Sequence, residues 1–565
     1  MFAMCLWLKR YPAAGGILTL GIVLFVWLDV RQVNAMKRRE RAGLLARINQ
    51  ESLKRLNGEW LEFDDTGAEF ADPNHPFSGD LDLFGPGSLF QWINTAVTFL
   101  GRRRLAHILD GALPGAEEIR ERQEAVAELG PLLSWRQKFQ SEALAIAGRM
   151  RDPEFLFKWA EERDRLADWA WVGLGVRILP VVTGLLLLCG IWLKLPFYLP
   201  GAALAVHYVL LRIGRKERNA IFDALAGYAQ NIKVYQRLLE TFESKRFHSK
   251  ALAGLRQSMV GGDGQPAFRQ IERLARIADA VSNRNNAFYF FFNLVVLWDY
   301  QCHWSLARWK EQSGKLLRVW LEALATMEAL SSLALIRFDH PGWPMPLVSD
   351  GTPHYSARGL AHPLLPESRV ANDLIIEKPA VVLLVTGSNM SGKSTYLRSA
   401  GINLALAYAG APVCAGSLSC SRMELHSCMR VGDNLGQNLS TFYSEVLRIK
   451  RIVEAARAGR PVFFLLDEIF KGTNSLDRHA GAKLLIRKLV RAGAVGMVST
   501  HDLELAVLEE ESGGRVKNVH FQEEYRGDRI HFDYRLRPGV STTRNALFLI
   551  RSAGIDVGTE ESWDN

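Results

Sequence analysis

Gly387-Ser388-Asn389-Met390-Ser391-Gly392-Lys393-Ser394-Thr395 is the stretch on which the reading of this chain turns. The apolar run Val381-Val382-Leu383-Leu384-Val385 comes just before it, and residues 396–409 pattern as a helix just after it. A strand, a glycine-bounded loop closing on Gly-Lys-Ser, then a helix is the P-loop arrangement. The glycines let backbone N–H groups close around phosphate oxygens, and the helix N-terminus adds the positive end of its dipole. Residues 387–395 are therefore expected to cradle the phosphates of ATP. Lys393 would reach the β- and γ-phosphates, and Ser394 would hold Mg2+.

A phosphate cradle also needs a carboxylate for the metal and a group that handles water. Val462-Phe463-Phe464-Leu465-Leu466 has the pattern of a buried strand, and Asp467-Glu468 follows it at once. Asp467 is expected to hold Mg2+ through water, and Glu468 to orient or deprotonate the attacking water. An ordinary acidic pair at a strand end is the competing reading, and the upstream loop weighs against it. A third strand, 494–498, ends at Ser499-Thr500-His501-Asp502. His501 at that point is expected to contact the γ-phosphate or its attacking water and so to sense nucleotide state.

Four motifs together resemble the ATPase domain of the mismatch-repair MutS family. They are Thr-Gly-x-Asn-Met-x-Gly-Lys-Ser-Thr-Tyr around Lys393, Ser-Thr-Phe-x-x-Glu from Ser440, Asp-Glu-Ile-x-x-Gly-Thr from Asp467, and Ser-Thr-His from Ser499. The Leu-Ser-Gly-Gly-Gln signature of an ABC transporter subunit does not occur in the sequence. The resemblance implies an α/β P-loop NTPase domain of the ABC-type ATPase kind, joined to an all-α lever and core domain. It further implies a homodimer in which each site is completed by the partner's signature loop. Ser440, with Asn438, would then contact the γ-phosphate in trans, and Asn474 would lie near the dimer interface. DNA binding and mismatch repair are implied in the same way.

The likeness continues outside the ATPase, over roughly 95–555. Thr98-Phe99-Leu100-Gly101-Arg102-Arg103-Arg104-Leu105 and Met327-Glu328-Ala329-Leu330-Ser331-Ser332-Leu333-Ala334 resemble the start and return of the family's lever region. His362-Pro363 and Asn372-Asp373 resemble the approach to the ATPase strand, and Tyr534-Arg535-Leu536-Arg537-Pro538-Gly539 with Ala553-Gly554-Ile555 its C-terminal segment. The residues before 95 are expected to leave no room for the family's mismatch-reading and connector domains. Phe521-Gln522-Glu523 matches the letters of the Phe-x-Glu mismatch wedge, but it lies beyond the ATPase motifs and is expected to be coincidence.

Residues 12–28 are almost uniformly apolar, with no charge until Asp29. That is close to the shortest helix that spans a bilayer. A signal peptide is the rival reading, but no small-x-small cleavage site precedes the basic run Lys37-Arg38-Arg39. A second apolar block, 178–193 and 195–213, breaks at Lys194-Leu195-Pro196 and reads as a transmembrane hairpin, against the alternative of a buried helical pair. Basic residues follow both blocks (Arg31, Lys37, Arg38, Arg39 and Arg41; Arg212, Arg215, Lys216 and Arg218). The positive-inside rule then gives a multi-pass membrane protein of about three spans, with its N-terminus outside and the ATPase cytoplasmic. Membrane lipids and a membrane partner are the implied contacts. Because the hairpin interrupts the lever stretches, it is expected to stand where the family's DNA clamp would be. The aromatic run 287–298 is too short to span and is expected to form a buried core helix, with interfacial contact as second choice.

The resulting division of the 565 residues is as follows. A transmembrane anchor occupies 1–30 and a juxtamembrane linker 31–90. The outgoing helical lever and core take 91–177, the transmembrane hairpin 178–213, and the returning lever and core 214–340. The MutS-like ATPase domain covers 341–555, and a disordered tail 556–565. The net charge of +9 suits either anionic lipid head groups or nucleic-acid phosphates. The six cysteines show no metal-ligand spacing, and a cytoplasmic ATPase implies reduced thiols.

Overall fold

The computed structural model describes residues 12–145, 150–162, 170–193, 196, 198–261, 264–282, 284, 289–379, 381–430, 441–470, 474–526 and 529–541. The described residues open with one unbroken helix, α1 (Pro12–Leu56). Its first half carries exposed apolar side chains such as Leu20, Phe25 and Trp27. Its second half is charged and packs on the protein, with Arg41 paired to Glu142 at 3.1 Å. The expectation of a linker over 31–90 is thereby corrected. After α1 the chain forms compact turns and a short helix in which Leu81, Leu83, Leu89 and Phe90 are fully buried. The buried Asp80 accepts hydrogen bonds from Ser427 Oγ (2.7 Å), Met429 N (3.1 Å) and Arg430 N (3.0 Å), binding this segment to the C-terminal domain. Periodicity misses such a segment because Gly58, Gly67, Gly85 and Gly87 reverse the chain at positive φ, leaving no regular element long enough to show a period.

The helical body comprises α2 (Leu89–Ile93), α3 (Phe99–Asp110), α4 (Ala116–Leu129), α5 (Leu133–Leu144), α6 (Glu154–Glu161), α7 (Ala170–Trp192), α8 (Tyr198–Arg212), α9 (Arg215–Glu243), α10 (Lys250–Gln257), α11 (Ala267–Ser282), α12 (Tyr289–Val296) and α13 (Trp298–Asp339). The 42-residue α13 is its axis, about 63 Å long at 1.5 Å per residue. It packs on α3, α4, α6 and α11 and buries Trp320, Leu324 and Leu330. Near its C-terminal end Glu328, fully buried, accepts from Val97 N (2.9 Å), Thr98 N (3.1 Å) and Thr98 Oγ1, so one carboxylate caps the start of α3 and ties it to the axis. At its N-terminal end Tyr300 donates to Leu210 O of α8 at 2.8 Å. The α7/α8 pair therefore joins the axis at the end opposite Glu328.

Two described helical segments are long and apolar enough to cross a membrane by length and composition: Leu174–Trp192, within α7, and Trp298–Asp339. The second is α13, which is mostly buried in the body and is thus a core helix. The expectation of a buried core helix at 287–298 is also corrected. The described part, α12, packs against α7 and α8 while Phe290, Phe291 and Phe292 are exposed. A run apolar on every side carries no periodic signal, so its sequence could not say which face would be covered.

The C-terminal domain is mixed α/β. A four-stranded sheet has the order β1 (Leu347–Ser349), β5 (Ser417–Ser421), β2 (Tyr355–Leu360), β3 (Asn372–Ile376). A six-stranded sheet runs β10 (Arg529–Pro538), β9 (Val516–Arg526), β4 (Val382–Thr386), β8 (Val495–Thr500), β7 (Val462–Asp467), β6 (Glu424–Cys428). Within it β9, β4, β8, β7 and β6 are parallel and β10 returns as an antiparallel edge. The helices α14 (Lys393–Ala409), α15 (Thr441–Arg457), α16 (Ser475–Arg491) and α17 (Leu508–Glu511) complete the domain. Both faces of the sheet are covered, which is why β4, β7 and β8 read as continuous apolar runs. Contact with the rest of the chain is close: Gln123 of α4 donates to Pro346 O at 2.8 Å, and a Cβ on Gly401 of α14 would lie 2.6 Å from Leu81 in the turns after α1.

Candidate nucleotide site

The parallel register places Thr386 beside Thr500 and Asp467 beside Ser499. The C-terminal ends of β4, β8 and β7 thus form one edge, and the chain turns there into loop 387–392, His501 and Glu468. Loop 387–392 needs its glycines. Gly387 has φ 145°, and a Cβ there would lie 2.9 Å from both Phe521 O and Ser391 Oγ. Gly392 has φ 101°, and a Cβ there would lie 3.1 Å from the Tyr534 ring. Met390, also at positive φ, is 83% exposed at the tip, beside the exposed Asn389.

Lys393 opens α14 and is buried. Its ammonium donates to Gly387 O (3.0 Å) and Ser388 O (2.8 Å) and lies 3.3 Å from His501 Nε2. Ser394 and Thr395 follow on the first turn and line the adjoining cleft. Ser391 Oγ, buried inside the loop, has no hydrogen-bond partner among the described residues. Asp467 accepts from the hydroxyl of Ser499. Glu468 sits at φ 49°, its backbone N–H donating to Ser499 O at 3.1 Å and its Oε1 lying 2.7 Å from His501 Nε2. A left-handed φ at a non-glycine residue is costly and concentrates at functional sites. The structure therefore brings Lys393, Asp467, Glu468 and His501 to one edge.

Asn474 caps α16, its side chain accepting from Asp477 N at 2.8 Å, and the next residue but one, Leu476, is 82% exposed. Asn438 and Ser440 lie outside the described residues, as do Lys471-Gly472-Thr473 and Ala553-Gly554-Ile555. Glu445, the last residue of the Ser440 motif, is described: buried on α15, it accepts from Phe470 N and so links that motif to the turn after Glu468.

Several residues at the site carried no spacing signal. A cleft of about 500 Å3 is lined by Lys393, Ser394, Glu468, His362, Arg369 and Tyr534. Burial, with the Arg398 charge adding, pushes the His362 imidazole down to about 4, which keeps it neutral. Tyr534, at φ 53°, is held by Asn372, whose Nδ2 donates to Tyr534 O (2.9 Å) while its Oδ1 accepts from Leu536 N (2.7 Å). Phe521 is buried edge-on to Tyr396, and the buried Glu523 accepts from Ser388 Oγ at 3.0 Å. The Phe521-Gln522-Glu523 stretch is thus a support under the loop and is not available as a wedge. His479 of α16 lies 2.7 Å from Asp502, tying that helix to the turn that carries His501.

Fold and site together define a mixed α/β domain organised around a strand, a glycine loop and a lysine-led helix. Residues 383–557 match the family model described as MutS domain V. Over this domain the chain is similar to the MutS family. Among similar proteins, the DNA mismatch repair protein MSH3 of Phaeosphaeria nodorum is 33% identical over 248 residues, 42% of this chain and 22% of the relative. The DNA mismatch repair protein MutS of Aquifex pyrophilus is 29% identical over 41% of this chain and 27% of its own length. That of Oleidesulfovibrio alaskensis is 34% identical over 41% and 26%. The chain thus spans about a quarter of the length of the curated relatives it matches.

Proposed function

We propose that this chain is a membrane-anchored, Mg2+-dependent ATPase of the P-loop type, in which nucleotide-driven closure of a homodimer moves the helical body. The observation that carries the reading is the convergence of Lys393, Asp467, Glu468 and His501 at the ends of three adjacent parallel strands, where open α/β sheets bind their ligands. The ammonium of Lys393 now rests on two loop carbonyls, and phosphate oxygens would be stronger, charge-assisted acceptors. The buried Ser391 hydroxyl without a partner suits the same anion. Ser394 and Asp467 offer only oxygen donors, the set Mg2+ favours. A bound Mg2+ would neutralise charge across the β- and γ-phosphates.

In this reading Glu468 takes a proton from the attacking water, and His501 holds the Glu468 carboxylate in place. Tyr534 supplies a flat face to the base. Exposed Met390 and Leu476 favour a covering second copy, which would bring Asn438 and Ser440 to the γ-phosphate in trans.

Membrane anchoring is supported by the surface of α7 and α8. Ile178, Val181, Leu185, Leu188, Ile191 and Val209 face outward, whereas Thr183 and His207 are fully buried. Polar groups inside and apolar groups outside is the arrangement lipid demands. The attachment of this hairpin at one end of α13, with Glu328 near the other, supports delivery of ATP-driven motion to the membrane. The names of the relatives favour a second reading, action on DNA or mismatched DNA.

The deciding experiment is the ATPase rate of nanodisc-embedded protein with and without duplex DNA, at low and near-physiological salt. Turnover indifferent to DNA supports a mechanical or signalling role. Stimulation that survives physiological salt supports the DNA reading, since phosphate contacts alone are screened. Absence of Mg2+-dependent turnover in every condition would sink the proposal.

A further inference from the structure

We propose that α12 is a further bilayer-embedded element, packed among lipid acyl chains beside the α7/α8 hairpin, and that it joins the bilayer to the axis helix α13. This rests on the membrane reading of the hairpin. Phe290, Phe291 and Phe292 are 55%, 66% and 47% exposed. Consecutive helical residues are about 100° apart, so these three rings cover about 200° of the helix surface. No polar face remains to turn toward water.

The polar groups of α12 point inward. Asn293, only 9% exposed, accepts from Asp299 N and donates to Asp299 Oδ2, both at 2.9 Å. Tyr289 donates to Asp299 Oδ1 at 2.6 Å. Leu294 O lies 2.9 Å from His207 Nδ1, and a carbonyl only accepts, so Nδ1 carries the proton. His207 Nε2 is 3.2 Å from Thr183 Oγ1. The α12 backbone is thereby bonded to one arm of the hairpin, and that arm to the other, through a polar core wrapped in apolar side chains. In water the cost of such a surface has no offset; in hydrocarbon both halves of the arrangement are favourable.

The apolar surface ends where the charges begin. Arg212, Arg215 and Lys216 are exposed at the foot of α8 and the start of α9, where anionic head groups would sit. Tyr300, two residues into α13, donates to Leu210 O at this level. Between α12 and α13 stands Leu297 at φ 53°, where the helical path is broken. A displacement of α13 therefore reaches α12 and the hairpin through Leu297, the Asn293–Asp299 pair and Tyr300.

The test is spin-label accessibility in full-length protein reconstituted in nanodiscs, with Cys5 and Cys189 replaced by serine. Labels go on Phe291→Cys, on Leu185→Cys in the hairpin, and on Val319→Cys on the exposed face of α13. Retained ATP turnover reports folding, and Phe290→Cys replaces Phe291→Cys if that variant fails to fold. We expect labels at 291 and 185 to be reached by oxygen and shielded from a water-soluble nickel chelate, with the reverse at 319. A label at 291 open to the chelate while 185 is shielded overturns the proposal and leaves the membrane reading standing. Chelate access at both overturns the membrane reading as well. Shielding of 291 from both reagents, with spin–spin broadening, would place a second copy of the chain on α12 and overturn the lipid assignment.

Discussion

Replacing Glu468 by glutamine separates ATP binding from chemistry at this site. The side chain projects from a backbone at φ 49°, with Oε1 2.7 Å from His501 Nε2. Glutamine has the same heavy-atom shape, keeps an oxygen for that histidine, and leaves the backbone cost unchanged. The change it makes is the loss of a carboxylate able to accept a proton. If Glu468 is the base, turnover falls by about 10²–10⁴-fold. That is about 2.7–5.4 kcal/mol of barrier at about 1.36 kcal/mol per decade. Affinity for ATP should move by less than about two-fold, because the phosphate contacts proposed for Lys393 and the loop are untouched. The assay is steady-state turnover of nanodisc protein with Mg2+-ATP, beside equilibrium nucleotide binding and particle mass. ATP should accumulate on the variant and hold it as a dimer. Turnover within ten-fold of the parent, with ATP still bound, would refute the assignment of the base. His501→Asn, alone and combined with Glu468→Gln, adds a check: groups acting as one unit give strongly non-additive losses.

Two further outcomes follow from the same packing. Glu523→Ala removes the acceptor for the Ser388 hydroxyl, in the loop whose carbonyls hold Lys393. A lost buried hydrogen bond costs about 1–3 kcal/mol, so KM for ATP should rise about ten-fold with kcat little changed, and Glu523→Gln should restore most of it. An unchanged KM in the alanine variant would show that the loop does not depend on this support. At the end of α9, burial pushes the Glu243 carboxyl up to about 7. A raised carboxyl contributes stability that is full below its unfolded value near 4.5 and is lost as pH rises through about 7. Glu243→Gln, neutral at every pH, should therefore raise the melting temperature at pH 8 relative to the parent and leave it nearly unchanged at pH 5. An equal shift at both pH values would argue against the burial account.

The convergence of the candidate-site residues was legible in the linear order because each sits where a buried strand ends, and a buried strand is a continuous run of apolar residues. Val382–Thr386, Val462–Asp467 and Val495–Thr500 announce themselves, and Lys393, Asp467-Glu468 and His501 stand at or just beyond their ends. Glycine spacing adds the loop, since only glycine tolerates φ near 145° against the Phe521 carbonyl. Tyr534, Glu523, Asn372 and His479 were invisible as site residues, because their places depend on β9, β10 and α16 folding back across the sheet, and no local period records that approach.

The sequence by itself determined the glycine loop, the likeness to MutS domain V, and the existence of apolar blocks at 12–28 and 178–213. Only the tertiary structure decided what those blocks and their neighbours face. Residues 59–93 became part of the core because left-handed glycines fold them under the C-terminal domain. The apolar stretch of α13 went inside and the shorter α12 stayed outside, although both are apolar runs in the sequence. Hydrophobicity reports that a side chain must leave water. Which face of a helix packs inward is decided by where the polar partners lie, and Asn293, His207 and Thr183 find theirs on the inner side.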